Sequence, residues 1–379
     1  MAKSNTNARF SLKDHLFNKA RVEYLADLFS AADDRFETSA FVRETMTLLP
    51  KLELKERIVH IASTLEKYLA SDFRVAAKQI SVALPPPLDP TKTDDDFGDF
   101  ILAPLGEFVV RNGLAKKHLK QSLATLKEIT QRFSMEDAIR RFINTHPQET
   151  LAALRQWATH PNYHVRRIVS EATRPALPWS GRLSIDVETP ISFLDQLQAD
   201  STRYVTRSVS NHLNDISKTH PVLVFSALKR WKLQGTQDPS ELLWMSKHAL
   251  RTLIKQGNAE ALTFLGYSSK PQIKITQFTL KSSCIRPGQA LDFAFSVTAM
   301  RNETLMVDYV IDFVKANGKL SPRVHKLKQI SISKGETVVV SKRHVLKADA
   351  TTYTLYPGTH RVTLQINGKP FGTQSFEVV

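Results

Sequence analysis

The sequence predicts a mainly α chain, an α-solenoid of paired helices followed by a small all-β sandwich. Three observations predict it. From about residue 10 to 268, apolar residues recur at spacings of three and four between proline-containing breaks. Within that region one segment repeats after forty residues. After Lys270 the apolar period drops to two and Asn-Gly turn signals appear.

The helical breaks fall at His146-Pro147, His160-Pro161, His220-Pro221 and Asp238-Pro239. Thr145-x-x-Gln148 has capping-box form, and Pro147 falls in the first turn where its missing N–H costs nothing, so a helix is expected over 146–158. Laying HPNYHVRRIVSE (160–171) on DSTRYVTRSVSN (200–211) matches Val165 with Val205, Arg167 with Arg207, Val169 with Val209 and Ser170 with Ser210. A weaker third copy, DPSELLWMSKHALRTL, follows at 238–253. A period of about forty with two helices per unit is HEAT-like and stacks into a curved solenoid. The segment VALPPPLDPTKTDDDFGDF (82–100) breaks the helical pattern and reads as a solvated connection, whose acidity argues against contact with nucleic acid.

In the C-terminal region Leu291, Phe293, Phe295 and Val297 alternate with polar residues, as do Val362, Leu364 and Ile366. Asn317-Gly318 and Asn367-Gly368 mark hairpins. About seven strand-like runs between 272 and 379 predict an immunoglobulin-like sandwich without a disulfide, so the expected domains are 1–268 and 272–379. The loop ATTYTLYPGT (350–359), after the basic run Lys342-Arg343-His344, reads either as a contact loop or as an ordinary edge connection.

Composition narrows the function. No run of 18 apolar residues exists, and MAKSNTNARF lacks the apolar stretch of a secretory signal, so neither membrane insertion nor export is expected. The expected location is the bacterial cytosol and nucleoid. A single cysteine, Cys284, excludes an internal disulfide framework and a Cys-based zinc site, and it reads as a small core residue. The 12 histidines include no HExxH, and His160 and His164 have no evident third ligand, so no metal and no cofactor are expected. A net charge of +15 points to an anionic partner, nucleic acid before membrane.

The repeat says where that charge sits. On the first copy Val165, Ile168, Val169 and Ala172 share one helical face, while Arg167, Ser170, Glu171 and Arg174 share the other. Arg167 and Arg207 then point to the same side in successive repeats, making a basic stripe with Arg174, Ser170, Ser210 and Asn211. With Arg166, Arg203 and Lys218, these arginines are the candidate DNA contacts.

Four residues are chemically odd on such a face: Glu136, Glu171, Trp179 and Asp215. A carboxylate weakens phosphate binding by Coulomb repulsion unless it has another task. Each has a plain reading. Glu136 follows Ser134 as a helix cap and pairs with Arg140, together contributing about 0.5–1.5 kcal/mol. Glu171 forms a solvated network with Arg167 and Arg174. Asp215 sits near a helix C-terminus, and Trp179 packs as a loop aromatic.

Together they read differently. The stretches EITQRFSMEDAIRRFI (128–143), HVRRIVSEATRPALPW (164–179) and VTRSVSNHLNDISKTHP (205–221) resemble the AlkC branch of the HEAT-like-repeat DNA alkylation repair glycosylases. The resemblance covers most of the chain, including a YPGxH segment at Tyr356–His360, and the block RRxVSExxRPxLPW is its specific motif. It implies that Glu136, Glu171, Trp179 and Asp215 are the catalytic residues lining the lesion site and that Arg167 belongs to the DNA-holding surface. It also implies a monofunctional glycosylase acting as a monomer, without base flipping, on double-stranded DNA containing alkylated bases. Ala176 stands where the family pattern suggests a basic residue, which puts one phosphate contact in doubt. A non-catalytic binder of bent or branched DNA, or a HEAT-type protein-interaction scaffold, remains the alternative on the same fold.

Overall fold

The structure is a computed structural model and describes residues 11–92, 94, 97–348, 350 and 353–379. The series of helices opens with α1 (Leu12–Leu16), α2 (Lys19–Ala32), α3 (Thr38–Leu48), α4 (Leu54–Tyr68) and α5 (Phe73–Ala83). After the proline-rich segment come α6 (Ala103–Gly113), α7 (Leu119–Thr130), α8 (Glu136–Thr145), α9 (Pro147–Trp157) and α10 (Tyr163–Ala172). The series continues with α11 (Ile191–Leu197), α12 (Arg203–Ser217), α13 (Pro221–Gln234), α14 (Pro239–Ala249), α15 (Arg251–Lys255) and α16 (Ala259–Phe264). Proline opens α9, α13 and α14, where the unpaired first-turn position tolerates it. The α9 cap differs from the expected box. His146 is the N-cap with no side-chain cap bond, and Thr145 Oγ1 instead donates to Arg141 O at 2.9 Å.

The forty-residue repeat is α10, α12 and α14, which pack side by side. Matching polar links tie successive copies. Arg166 on α10 binds Asp200, which precedes α12, with Nε to Oδ2 at 2.5 Å, and Arg203 on α12 binds Glu241 on α14. Arg167 stacks over Tyr204 with its guanidinium 4.4 Å from the ring centre, and Arg203 over Trp244 at 3.9 Å.

The segment 82–100 is fastened rather than freely solvated. Arg132 Nε donates to Pro85 O at 2.8 Å, Leu88 N to Gln131 O at 3.0 Å and Asp99 N to Arg132 O at 3.1 Å. Gly98 (φ +76°) approaches so closely that a Cβ there would lie 1.9 Å from Arg132 O, so only glycine fits. Asp94 reaches Arg207, and Phe97 packs edge-on against Tyr204. The rest of the expected acidic run, Asp95 and Asp96, lies outside the described residues.

Contacts divide the chain between Ala249 and Leu250, so α15 and α16 belong with the sandwich, whereas the sequence put the boundary at 268–272. The physical reason is a glycine pair. A Cβ on Gly257 would meet Gly368 O at 2.5 Å, and Asn367 Nδ2 donates to Ser268 O at 3.0 Å. Eight strands follow among the described residues: β1 (Ile273–Leu280), β2 (Cys284–Ile285), β3 (Ala290–Ala299), β4 (Glu303–Val314), β5 (Leu320–Ile332), β6 (Thr337–Val345), β7 (Gly358–Ile366) and β8 (Lys369–Val378). They form two sheets, ordered β1-β3-β6 and β2-β8-β7-β4-β5. The alternating residues are its core, with Leu291, Val297, Val362, Leu364 and Ile366 fully buried. Asn367-Gly368 makes the two-residue β7–β8 turn with φ +44° and +74°, the left-handed pair such a turn requires. Cys284 is exposed on β2, not in the core as its residue type suggests, because this short edge strand leaves it outward. In the 350–359 loop Thr351 and Thr352 lie outside the described residues. His360 has a structural role there: Nε2–H donates to Tyr356 O at 3.0 Å and Nδ1 accepts from Val314 N at 3.4 Å.

Candidate active site

The polar face of α10 is buried, not solvated. Arg167, Ser170 and Glu171 are as enclosed as the apolar face, because α12 packs over them. Ser208 Oγ donates to Glu171 Oε2 at 2.6 Å, and His212 Nδ1–H donates to Ser170 O at 3.1 Å. Arg174 binds Glu171 Oε1 through Nη1 at 2.5 Å and Asp215 Oδ2 through Nη2 at 2.7 Å. Lys218 Nζ takes Asp215 Oδ1 at 2.9 Å, and Arg167 Nη2 lies 3.7 Å from Glu171 Oε2. The result is a row of alternating charge, Lys218–Asp215–Arg174–Glu171–Arg167.

Burial alone pushes the Glu171 carboxyl up, but Arg167, Arg174 and the Ser208 hydroxyl outweigh it, holding the group below the ordinary carboxylate range. Both arginines are in turn held charged against their own burial. Glu171 is thus a fixed, ionised carboxylate in a low-dielectric setting, where charge acts strongly on a neighbouring cation, and Arg174 ties it to Asp215. Beneath it, burial and then Arg174 push His212 down to about 3, so this imidazole is neutral.

Trp179 sits on a tethered loop. Arg140, on α8, does not pair with Glu136 as its spacing suggests; it donates to Gly181 O through Nε and Nη2 at 3.0 and 2.6 Å, and through Nη1 to Ala172 O and Arg174 O at 3.1 and 2.7 Å. Lys55, from α4, donates to Trp179 O. Trp179 itself has φ +74° and is 66% exposed, rather than packed on a helix. A bulky residue in that region costs about 1–3 kcal/mol and persists only when its surroundings enforce it.

Glu136 opens α8, with Met135 as the N-cap; the expected cap, Ser134, instead accepts from Arg167 Nη1 at 2.8 Å. Its Oε2 is buried with no hydrogen-bond partner among the described residues. Glu136 and Trp179 line one cavity of about 670 Å³ with Phe97, Phe100, Phe133 and Leu177.

The expected phosphate contacts fare unequally. Arg166 is spent internally, on Asp200, His160 O and Pro161 O. Arg203 is shared between Glu241 and Trp244, Arg207 with Asp94, and Arg174 bridges the two carboxylates. Lys218, at 45% exposure, is the most open of the six. Among the described residues no group of three or more His, Cys, Asp or Glu is arranged to hold a metal ion, and no helix is long and apolar enough to cross a membrane. Sequence reasoning missed Ser208, Arg140, Tyr204 and His212. Ser208 had a signal: it aligns with the core residue Ile168 of the previous copy, and a hydroxyl at a core position needs a polar partner.

The helical part is thus a stack of repeats with arginine–carboxylate pairs buried between α10 and α12, followed by a two-sheet β domain. Residues 116–254 match the family model described as DNA alkylation repair enzyme, and residues 274–379 match that of the C-terminal Ig-like domain of uncharacterised protein YhaZ. The uncharacterised protein YhaZ of Bacillus subtilis (strain 168) is 33% identical over 368 residues, covering 96% of this chain and 98% of that one. The solved Pseudomonas fluorescens alkylpurine DNA glycosylase AlkC, bound to DNA containing an abasic site analogue, is 34% identical with a TM-score of 0.87, covering 98% of this chain and 100% of that one. The chain belongs to the AlkC-like family of DNA alkylation repair glycosylases.

Proposed function

We propose that this protein hydrolyses the N-glycosidic bond of cationic alkylated bases in duplex DNA, with 3-methyladenine, 3-methylcytosine and 1-methyladenine as the substrate class. The observation that carries the reading is the buried Glu171–Arg174–Asp215 cluster in the same unit as the exposed ring of Trp179. An alkylated base is already a good leaving group, so the demand on the protein is to stabilise positive charge developing on the deoxyribose. Fixed carboxylates meet that demand without reorganising, and a tryptophan face adds about 0.5–2 kcal/mol for a cation. The similarity to a glycosylase solved on abasic-site DNA supports the same product, an abasic site.

In this reading the enzyme is monofunctional: water, not a protein amine, attacks C1′. The base is addressed without being flipped into a pocket, and Lys218, Arg203 and Arg207 hold phosphates. In this reading the protein acts as a monomer, in the bacterial cytosol and nucleoid. Mass-spectrometric analysis of bases released from methylated duplex DNA tests the proposal. Wild type is expected to release the cationic lesions and Glu171→Gln to release them about 10²–10³-fold more slowly. Tight binding of bent or branched DNA with no base released would favour the non-catalytic reading instead.

A further inference from the structure

The arginines of the repeat face are each met by a carboxylate, but not from the same source. Arg166 takes Asp200, Arg203 takes Glu241, and Arg174 takes Glu171 and Asp215, all supplied by the repeats themselves. Arg207 differs: its partner, Asp94, comes from the 82–100 segment. The forty-residue register shows why. Arg167 has Glu171 four residues on, whereas the aligned positions of the next copy are Arg207 and Asn211, so this arginine lacks the carboxylate one turn along its own helix. Asn211 Oδ1 instead lies 2.8 Å from His248 Nε2. The side chain of Asp94 is also 36% exposed, against 17% or less for the four repeat carboxylates.

The segment that carries Asp94 is anchored on either side of it. Arg132 Nε donates to Pro85 O and Leu88 N to Gln131 O before it, and Asp99 N donates to Arg132 O after it. Releasing Arg207 breaks none of these bonds. An ion pair of this exposure is weak and exchangeable, and an arginine fork takes a phosphate in the same geometry as a carboxylate.

We propose that Asp94 is an intramolecular stand-in for a DNA phosphate: it occupies Arg207 in the free protein and is displaced when the DNA backbone docks. The strap is thus an autoinhibitory contact. It lowers affinity for damaged and undamaged duplex alike by the cost of breaking one partly exposed ion pair, about two- to fivefold. Dwell on undamaged DNA is shortened while the buried cluster around Glu171 is left alone. The proposal rests on the reading of Arg207 as a phosphate contact.

The test is a double-mutant cycle read by fluorescence anisotropy of a labelled undamaged duplex, with wild type, Asp94→Asn, Arg207→Ala and the double variant at one salt concentration. Asp94→Asn is expected to bind about two- to fivefold tighter than wild type, a gain that a misfolded variant would not produce. Arg207→Ala is expected to bind more weakly than wild type, and the double variant like Arg207→Ala. Asp89→Asn removes the same charge from the same segment and keeps an oxygen acceptor for Thr91 N, so it controls for general repulsion and is expected to bind like wild type. No gain from Asp94→Asn, an equal gain in the Arg207→Ala background, or an equal gain from Asp89→Asn overturns the proposal. Undiminished binding by Arg207→Ala overturns the reading of Arg207 as a phosphate contact, and the proposal with it. The glycosylase reading is judged separately, by base release from methylated DNA.

Discussion

Glu171 looks from its neighbours like a surface ion-pair residue, four after Arg167 and three before Arg174. Both pairs exist, at 3.7 and 2.5 Å, but they are buried, and that changes what substitution does. Removing one partner of a buried pair leaves an uncompensated charge, which costs about 3–5 kcal/mol. Glu171→Gln should therefore lower the melting temperature as well as slow base release, while duplex binding by exposed cations persists; calorimetry and a binding titration separate the two. The folded-state pKa of Glu171 is depressed from 4.5, so its contribution is present above that value and is lost as pH falls below it. His212 acts over a higher window. Its pKa falls from 6.5 to about 3 on folding, so the unfolded chain binds the extra proton between those values and stability declines as pH drops from 6.5 toward 3. His212→Gln should flatten that part of the curve of melting temperature against pH. Trp179→Gly is expected to stabilise the loop by about 1 kcal/mol by relieving its positive φ, yet to slow base release.

At the scale of elements, the site depends on two fastenings invisible in the local pattern. One is α12 over α10, where Ser208 donates to Glu171 at 2.6 Å. Ser208→Ala should raise the pKa of Glu171 and shift the acid limb of the pH–rate profile upward, a change that general destabilisation would not produce. The other is Arg140, whose guanidinium holds the carbonyls of Ala172, Arg174 and Gly181. Ala172 O is buried, and leaving such a carbonyl unpaired costs about 1–3 kcal/mol, so Arg140→Ala should raise hydrogen exchange across residues 173–181 and reduce base release. Helical periodicity found α10 because Val165, Ile168, Val169 and Ala172 are its core face. It could not assign Ser134, Arg140 or Thr145, because a side chain choosing between a cap, an ion pair and a distant carbonyl is decided by what packs nearby.

For the molecule as a whole, a net charge of +15 predicts binding that weakens steeply with salt. Truncating Lys218 to alanine should reduce the slope of log K against log salt by about 1, whereas Arg166→Ala, whose guanidinium is spent on Asp200, should leave the slope unchanged and cost stability. The sequence by itself determined the two architectures and the β7–β8 turn, because apolar period, proline breaks, Asn-Gly turns and a forty-residue repeat are local or regularly spaced signals. It also carried the family resemblance, in the RRxVSExxRPxLPW block. Only the tertiary structure decided that the polar face of α10 is enclosed, that the 82–100 segment is strapped to the α7–α8 turn, and that Cys284 faces outward. It also decided which carboxylates are clamped and which oxygen is left open. Charge state and hydrogen-bond supply depend on neighbours brought together from α8, α10 and α12, and no spacing along the chain encodes how many donors each oxygen will meet.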